Sequence, residues 1–600
     1  MAKLISISDV ELLYKAGEKI CFIEQKTIIT PAAKDLARQH GIAFSVQGQP
    51  EEKQAMQGIK LAFSVQGQPE QSCATQGMKQ SEAYPTSGGV EVDYDLQSLQ
   101  EARDLVSRGD VAAEQIASYT EEQIDRILRN MVEAAKQYNV EFARMAVEET
   151  GFGNVADKTY KNHLATVLVY EAIKDMKTIG VLEEDVVNKV TTIAEPMGLL
   201  MGIIPSTNPT STAMFKSIIA IKARNSIVFS PHPSALKCTL AAAELMRKAA
   251  VEAGAPENIV GCISKPSVKA TDEMMKSDKV KLIIATGGPG MVKAAYSAGK
   301  PALGVGAGNT PAYIERSADI PKAISDIIAS KTFDNGTICA SEQAIVVEEC
   351  IRDAVIAECK RQGGYFMSRE ETEKVCAAIF KGTHAMNAKL VGREAHVVAE
   401  AAGISVPPGT KVLIGEQFGV GAGYPLSYEK LTTVLGFYTA KDWEEACHLC
   451  IDLLQNGIGH TLSLHTRNEE IVKKFSVKPA ARILVNTGAS QGGTGASTGL
   501  LPSFTLGCGT WGGSSVSENV SPLHLINTKK VAYGIKDCLT LANSDPLFCY
   551  NISPNNSSSL MTGMIDDAKT ILSDNSGTGI SGREFHAIIQ DLVAILKKEG

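Results

Sequence analysis

Short apolar runs alternating with helix-length patterns predict an α/β protein built on a doubly wound parallel sheet. The runs Leu199 to Ile204 and Ser226 to Ser230 are bounded by Pro and Gly, and Lys281 to Ala285 leads directly into the glycine turn T-G-G-P-G. Six hundred residues exceed one ordinary core, so two or more domains are expected. A hydrophobic fraction of 44% is that of a folded globular chain rather than a disordered one.

The first region, residues 1–42, is a short accessory segment. Ile28 to Ile42 reads as one helix with Thr30 as cap, Pro31 at the first helical position and Gly41 as the stop. Residues 43–93 read as a flexible linker. There A-F-S-V-Q-G-Q-P-E occurs at Ala43 to Glu51 and again at Ala62 to Glu70, and two copies of a short polar unit cannot bury a core.

From residue 94 to residue 548 helix and strand signals are dense. Thr120 to Tyr138 has helical period, with Thr120 as cap and Glu122 following. Ser217 to Phe229 is the best apolar stretch, but Lys222 and Arg224 break it short of the ~18 residues of a membrane span. The net charge of -8 argues against a nucleic-acid partner, which ordinarily meets a basic patch. Thirteen cysteines without a regular framework, behind an N-terminus too polar for a secretory signal, are read as reduced thiols in the cytoplasm. Cys447 and Cys450 lie in an amphipathic helical pattern, so they are assigned to core packing and no metal site is expected.

Residues 549–582 form a Ser/Asn-rich linker before a final helical pattern at 583–600. There Phe585, Ile588, Ile589, Leu592, Ile595 and Leu596 fall on one face. A long polar tether ahead of such a face points to docking on another protein.

The chemistry centres on T-F-D-N-G-T-I-C-A-S-E-Q, which sets Cys339 between the turn Asp334, Asn335, Gly336 and a small polar run. A nucleophilic thiol needs access, a fixed backbone and nearby N–H donors for the oxyanion it creates. Asn208, on a Pro-flanked turn after a strand, offers a side-chain amide for that purpose. The glycine turn at Thr286 to Gly290 suits close approach of a dinucleotide's phosphates, and G-V-G-A-G-N-T-P (Gly304 to Pro311) is a second glycine-rich loop.

The order of these motifs, with A-R-I-L-V-N-T-G and L-G-C-G-T-W-G-G-S-S-V-S-E-N-V after them, resembles the aldehyde dehydrogenase superfamily, and within it the coenzyme A-acylating branch. The resemblance covers about Leu96 to Ala542. It implies an NAD-binding domain at 94–314, a catalytic cysteine domain at 315–505 and a closing oligomerisation element at 506–548. It implies further that Cys339 is the nucleophile, a thiolate of lowered pKa, and that Asn208 with the Cys339 backbone N–H holds the oxyanion. Thr286, Gly287, Gly288, Pro289 and Gly290 would form the cofactor turn, with Pro205, Ser230 and His232 (in M-G-I-I-P-S and F-S-P-H-P-S) also toward the cofactor. Glu429, in P-L-S-Y-E-K-L, would hold the nicotinamide ribose.

Hydrolytic members carry a Glu general base where this chain has Gly304 and Val305. They also carry a lysine near the adenosine ribose that F-S-P-H-P-S lacks. The implied reaction is therefore oxidation of acetaldehyde or propanal to the acyl-coenzyme A, with NAD as cofactor and coenzyme A as co-substrate. A hydrolytic dehydrogenase and a non-catalytic scaffold are the rival readings. A fused aldehyde–alcohol dehydrogenase is disfavoured because a helical pattern, not an iron-dependent half, follows. K-L-I-S-I-S-D-V with I-I-T-P-A-A-K-D-L-A resembles accessory proteins of ethanolamine-utilisation compartments, and the final helix resembles an encapsulation peptide. These imply a bacterial microcompartment, shell proteins as partners and a homo-oligomer, dimer or tetramer.

Overall fold

The computed structural model describes residues 93–538 apart from 383, residue 541, and residues 4–5, 20–23, 28–29, 37 and 43–46 of the N-terminal region. In that N-terminal unit, strand β1 (Leu4–Ile5) lies before β2 (Ile20–Ile23), β3 (Ile28–Ile29) and β4 (Ala43–Val46). β1 pairs with β3 and β2 with β4, both in parallel. The expected linker therefore starts too early: Ala43–Val46, in the first copy of the repeat, is a strand of this unit. Of the helix expected at 28–42, Ile28–Ile29 is strand and Ala37 is helical. The second repeat copy, the linker at 549–582 and the helix at 583–600 lie outside the described residues.

The main body opens with two long helices, Tyr94–Ile116 and Glu121–Thr150. The second runs twelve residues past the predicted end, stopping at Gly151 with φ 70°. Its capping box uses Gln123, not Glu122: Gln123 Oε1 accepts the Thr120 N–H at 2.8 Å and Thr120 Oγ1 accepts the Gln123 N–H at 3.4 Å.

β5 (Gly180–Asp185) and β6 (Val190–Pro196) form an antiparallel hairpin. Then come β7 (Leu199–Ile204), β8 (Ser226–Pro231), β9 (Val260–Cys262), β10 (Val280–Thr286) and β11 (Ala302–Val305). These five form one wholly parallel sheet in the order β11-β10-β7-β8-β9. The order reverses between β7 and β10, so a crevice opens beyond their carboxyl ends. Helix Pro209–Lys222 follows β7 and is buried all round, as its near-continuous apolar sequence requires. Its Lys216, wholly buried, donates to the Ile203 and Ile284 carbonyls at 2.7 and 2.9 Å and ties β7 to β10 beside the crevice.

β12 (Thr310–Ile314), β13 (Glu342–Glu348) and β14 (Gly364–Met367) begin a second sheet, and β15 (Phe380–Lys381) with β16 (Ala385–Met386) makes a small hairpin. β17 (Val412–Glu416), β18 (Val434–Ala440), β19 (Gly459–His465) and β20 (Ala480–Val485) complete that sheet. It is parallel throughout, in the order β14-β17-β18-β13-β12-β19-β20. β12 was assigned to the first domain by the division at 314. It pairs instead with β13 and β19, so the boundary between the sheets falls between Val305 and Thr310.

β21 (Ile526–Ala532) returns to pair with β6, making the three-stranded antiparallel sheet β21-β6-β5. The element expected at 506–548 thus borrows two strands from within 94–314. Cys447 and Cys450 are buried on helix Trp443–Leu454, in the core beside β18 and β19. No described helix is long and apolar enough to cross a membrane.

β19 begins at Gly459 with φ 81°, where an added Cβ would lie 2.0 Å from the Cys508 carbonyl oxygen. Gly180 shares a φ of 72° but has open space around it. Gly180→Ala should lower stability by roughly 1–2 kcal/mol, the left-handed penalty alone. Gly459→Ala should lower the calorimetric Tm clearly further at the same scan rate. Equal shifts would mean that the Cys508 loop yields.

Candidate active site

Helix Ile320–Thr332 ends in a turn, Phe333–Gly336, with three successive left-handed residues: Asp334 (φ 47°), Asn335 (φ 53°) and Gly336 (φ 76°). Two of them carry side chains, a conformation costing roughly 1–2 kcal/mol each. Contacts of the fully buried Asp334 hold the turn. Its Oδ2 accepts from Lys158 Nζ at 2.8 Å, from Thr337 Oγ1 at 2.6 Å and from Lys161 Nζ. Its Oδ1 accepts the Asn154 N–H at 2.9 Å, and its own N–H donates to Asp157 Oδ2 at 2.7 Å. Burial would raise the Asp334 carboxyl, but the two lysines outweigh it and hold it below the usual carboxylate value.

Five residues beyond Asp334, Cys339 is half-buried and faces a cavity of about 390 Å³ at the crevice of the first sheet. His460, near the amino end of β19, places Nε2 3.2 Å from Cys339 Sγ, while its Nδ1 lies 2.8 Å from Thr461 Oγ1. Arg482 spans the back of this pair, donating to the His460 and Gly507 carbonyls at 2.8 and 2.6 Å. Burial, with Arg482 adding to it, pushes the His460 pKa well down, so the ring rests neutral.

The expectation of a low-pKa thiolate is overturned. Burial first, then the neighbouring Glu429 carboxylate, pushes the Cys339 thiol up to about 12; Arg482 and the cysteine's own backbone N–H pull the other way without winning. At rest Cys339 is a thiol beside a neutral imidazole.

Asn208 caps the buried helix Pro209–Lys222 and lines the same cavity. Its Oδ1 accepts from Lys161 Nζ at 2.6 Å, and its Nδ2 donates to Thr207 Oγ1 at 3.1 Å. One Nδ2 hydrogen remains for an oxyanion.

Pro205, Ser230, His232, Thr286, Gly287, Gly288, Pro289 and Glu429 all line the cavity with Cys339 and Asn208. Gly290 does not; it lies inside helix Pro289–Tyr296. The Ser230 hydroxyl is buried and paired with Thr271 Oγ1 at 2.7 Å, so it shapes the wall rather than offering a free donor. At Gly288 an added Cβ would meet nothing within 4 Å, leaving its backbone open to a ligand at the start of that helix. A cavity lined both by the open glycine turn and by Cys339 and Glu429 suits a dinucleotide. Glu429 accepts the Gly308 N–H at 3.0 Å, and burial pushes its carboxyl up to about 7 against the pull of that bond and of Lys331 and Lys430.

Gly308, in the second glycine-rich loop, lies so close to the nucleophile that a Cβ would sit 1.9 Å from the Cys339 carbonyl oxygen. Steric need, not flexibility, explains that glycine. His460 and Lys161 escaped the sequence reading. His460 sits 121 residues from Cys339 in an ordinary strand, and Lys161 sits in a polar helix, so neither has a local signal.

A family model described as "Aldehyde dehydrogenase family" matches residues 74–366. The bifunctional aldehyde-alcohol dehydrogenase of Escherichia coli K12 is 50% identical over 442 residues, 72% of this chain and 50% of that one. The chain thus spans about half the length of that relative. The acetylating succinate-semialdehyde dehydrogenase of Clostridium kluyveri is 37% identical over 438 residues, covering 72% of this chain and 96% of that one. Among solved structures, an acetylating aldehyde dehydrogenase from Geobacillus thermoglucosidasius is similar with a TM-score of 0.73 and 51% identity, over 74% of this chain and 99% of that one. A propionaldehyde dehydrogenase from the fucose-utilisation microcompartment of Clostridium phytofermentans is similar with a TM-score of 0.66 and 28% identity, over 73% and 98%.

A thiol with a pKa of about 12 should be alkylated slowly at neutral pH and faster as pH rises. Without ligands, iodoacetamide labelling of Cys339, read by peptide mass spectrometry, should accelerate about tenfold per pH unit from 7 to 10. A plateau below pH 9 would mean that Cys339 and His460 rest as an ion pair.

Proposed function

Since the chain belongs to the aldehyde dehydrogenase family, we propose that it oxidises a short-chain aldehyde, acetaldehyde or propanal, to the acyl-coenzyme A through a thioester on Cys339. One observation carries the acylating reading. Among the described residues that line the cavity Glu429 is the only carboxylate, and it is engaged by the Gly308 N–H. Where hydrolytic members place a general base, Gly304 and Val305 stand, with Gly304 bonded to Tyr296 through its N–H at 2.9 Å.

The residues divide the chemistry as follows. His460 Nε2 takes the Cys339 proton as sulfur adds to the aldehyde carbon, which removes the cost of a free thiolate at rest. The Asn208 Nδ2–H and the Cys339 backbone N–H receive the developing oxyanion. NAD, held by the turn from Thr286 to Pro289 and by Glu429, supplies the hydride acceptor when bound. Collapse of the oxyanion leaves an acyl thioester on Cys339. His460 releases that first proton to solvent, and is then placed to take the proton of the coenzyme A thiol as that sulfur attacks the thioester and to hand it to Cys339 Sγ as Cys339 leaves.

Several features support a microcompartment setting and a homo-oligomer. The similar propionaldehyde dehydrogenase comes from a microcompartment. The sequence of residues 583–600 sets Phe585, Ile588, Ile589, Leu592 and Leu596 at helical spacing, a pattern suited to docking on a shell protein. The outer strands β5 and β21 are largely exposed, as strands awaiting a second copy of the chain would be.

Aldehyde plus NAD without coenzyme A should produce one NADH per active site and then stop; added coenzyme A should restore turnover. Cys339→Ala should remove the burst while leaving NAD binding near normal in calorimetry. Sustained turnover to free acid without coenzyme A would establish the hydrolytic reading instead.

Fusing residues 583–600 to an unrelated soluble protein should recruit it to purified shell proteins in a pull-down. Failure of the fusion, together with loss of Tm when the segment is removed from the enzyme, would assign the helix to the fold.

A further inference from the structure

The two ends of a carboxamide have the same shape and opposite polarity. If Asn208 presented Oδ1 to the cavity it would repel the oxyanion that Nδ2–H stabilises, so something must set its orientation. We propose that Lys161 is a positioning residue for Asn208: its ammonium holds Oδ1 and thereby turns Nδ2–H toward the reacting carbonyl. The proposal rests on the aldehyde-oxidising reading above.

Lys161 is 1% exposed and projects from helix Val155–His163. A charged ammonium has three donors and no acceptor. All three are taken, by Asn208 Oδ1 at 2.6 Å, Thr337 Oγ1 at 2.9 Å and Asp334 Oδ2. A flipped amide would set its NH₂ against that ammonium, donor against donor, so the bonding network itself assigns the orientation. Thr207 Oγ1 takes one Nδ2 hydrogen at 3.1 Å and leaves the other for the cavity. Lys158, one turn earlier, grips the Thr207 carbonyl at 3.0 Å and Asp334 Oδ2 at 2.8 Å. The oxyanion donor and the turn leading to the nucleophile are therefore set by the same two lysines.

The titratable groups facing Lys161 are Asp334 from the turn and Lys158 and Asp157 from its own helix. Burial lowers its pKa to about 8, with Asp334 opposing and Lys158 assisting. Above that pH a neutral amine keeps only two donors and gains a lone pair, which accepts equally well from Nδ2. The hold on the amide is then lost, and the oxyanion donor with it.

The test is the rate of the NADH burst in rapid-mixing experiments, at saturating aldehyde and NAD, in wild type, Asn208→Ala, Lys161→Met and the double variant. Asn208→Ala should lower the rate about 10²–10³-fold, as one oxyanion donor does. Lys161→Met should fall into the same range with little change in aldehyde KM. In the Asn208→Ala background, Lys161→Met should cost at least about tenfold less than it does in wild type, because its amide target is gone and Lys158 still grips Asp334. Multiplicative losses in the double variant, or a near wild-type rate for Lys161→Met, would overturn the proposal. Should Lys161→Met fail to fold, the pH profile decides. Wild type should lose burst rate above about pH 8, and Asn208→Ala should lack that alkaline limb; a limb retained in Asn208→Ala would overturn it. A wild-type protein with no aldehyde-dependent burst at any pH would instead defeat the functional reading itself.

Discussion

The site depends on one buried charge cluster, in which Asp334 receives Lys158 and Lys161 with all three side chains almost fully shielded from water. Taking three charges out of water is costly, and such a cluster persists only when every donor and acceptor is met. Here the carboxylate meets two ammoniums, a hydroxyl and a backbone N–H, while the ammoniums also reach Asn208, Thr207 and Thr337. Removing one partner would strand a charge in a low-dielectric interior. The cluster therefore fixes three segments at once: helix Val155–His163, the loop after β7 and the left-handed turn before Cys339.

Two parallel sheets meet at the site by opposite edges. The first contributes its carboxyl ends, where the paired strands β7 and β10 end and the chain beyond them carries Asn208 and Thr286 to Pro289. The second contributes its amino ends, where Cys339 approaches β13 and His460 opens β19. A loop between sheet strands can bring a cofactor turn and an oxyanion donor to one side of a substrate. Strand starts from the facing sheet bring nucleophile and base to the other. Gly308 marks how closely the halves approach, since even one carbon there would strike the nucleophile's carbonyl.

What the sequence made legible follows from the range of the forces involved. β7 was read with its observed bounds because an apolar run between breakers is a local property, and Cys339 and Asn208 stood out because turn residues flank them. His460 and Lys161 were not legible, because each acquires its role only from a partner far along the chain. Burial is likewise a property of the whole fold. The thiolate expected of Cys339 came with the family resemblance and not from its surroundings, and the folded surroundings favour the neutral thiol. The boundary at 314 failed for a related reason: G-V-G-A-G-N-T-P reads as one loop, but its last residues, Thr310 and Pro311, already pair with β13.

The raised pKa of Cys339 bears on how its sulfur meets oxidants. Peroxides and electrophiles attack the thiolate, and a cysteine with a pKa of about 12 offers almost none at neutral pH. In the proposed reaction its neighbour His460 would remove the proton only as a carbonyl carbon receives the sulfur. A sulfur that rests as the thiol is thereby shielded from the irreversible oxidation that a permanently ionised one would invite.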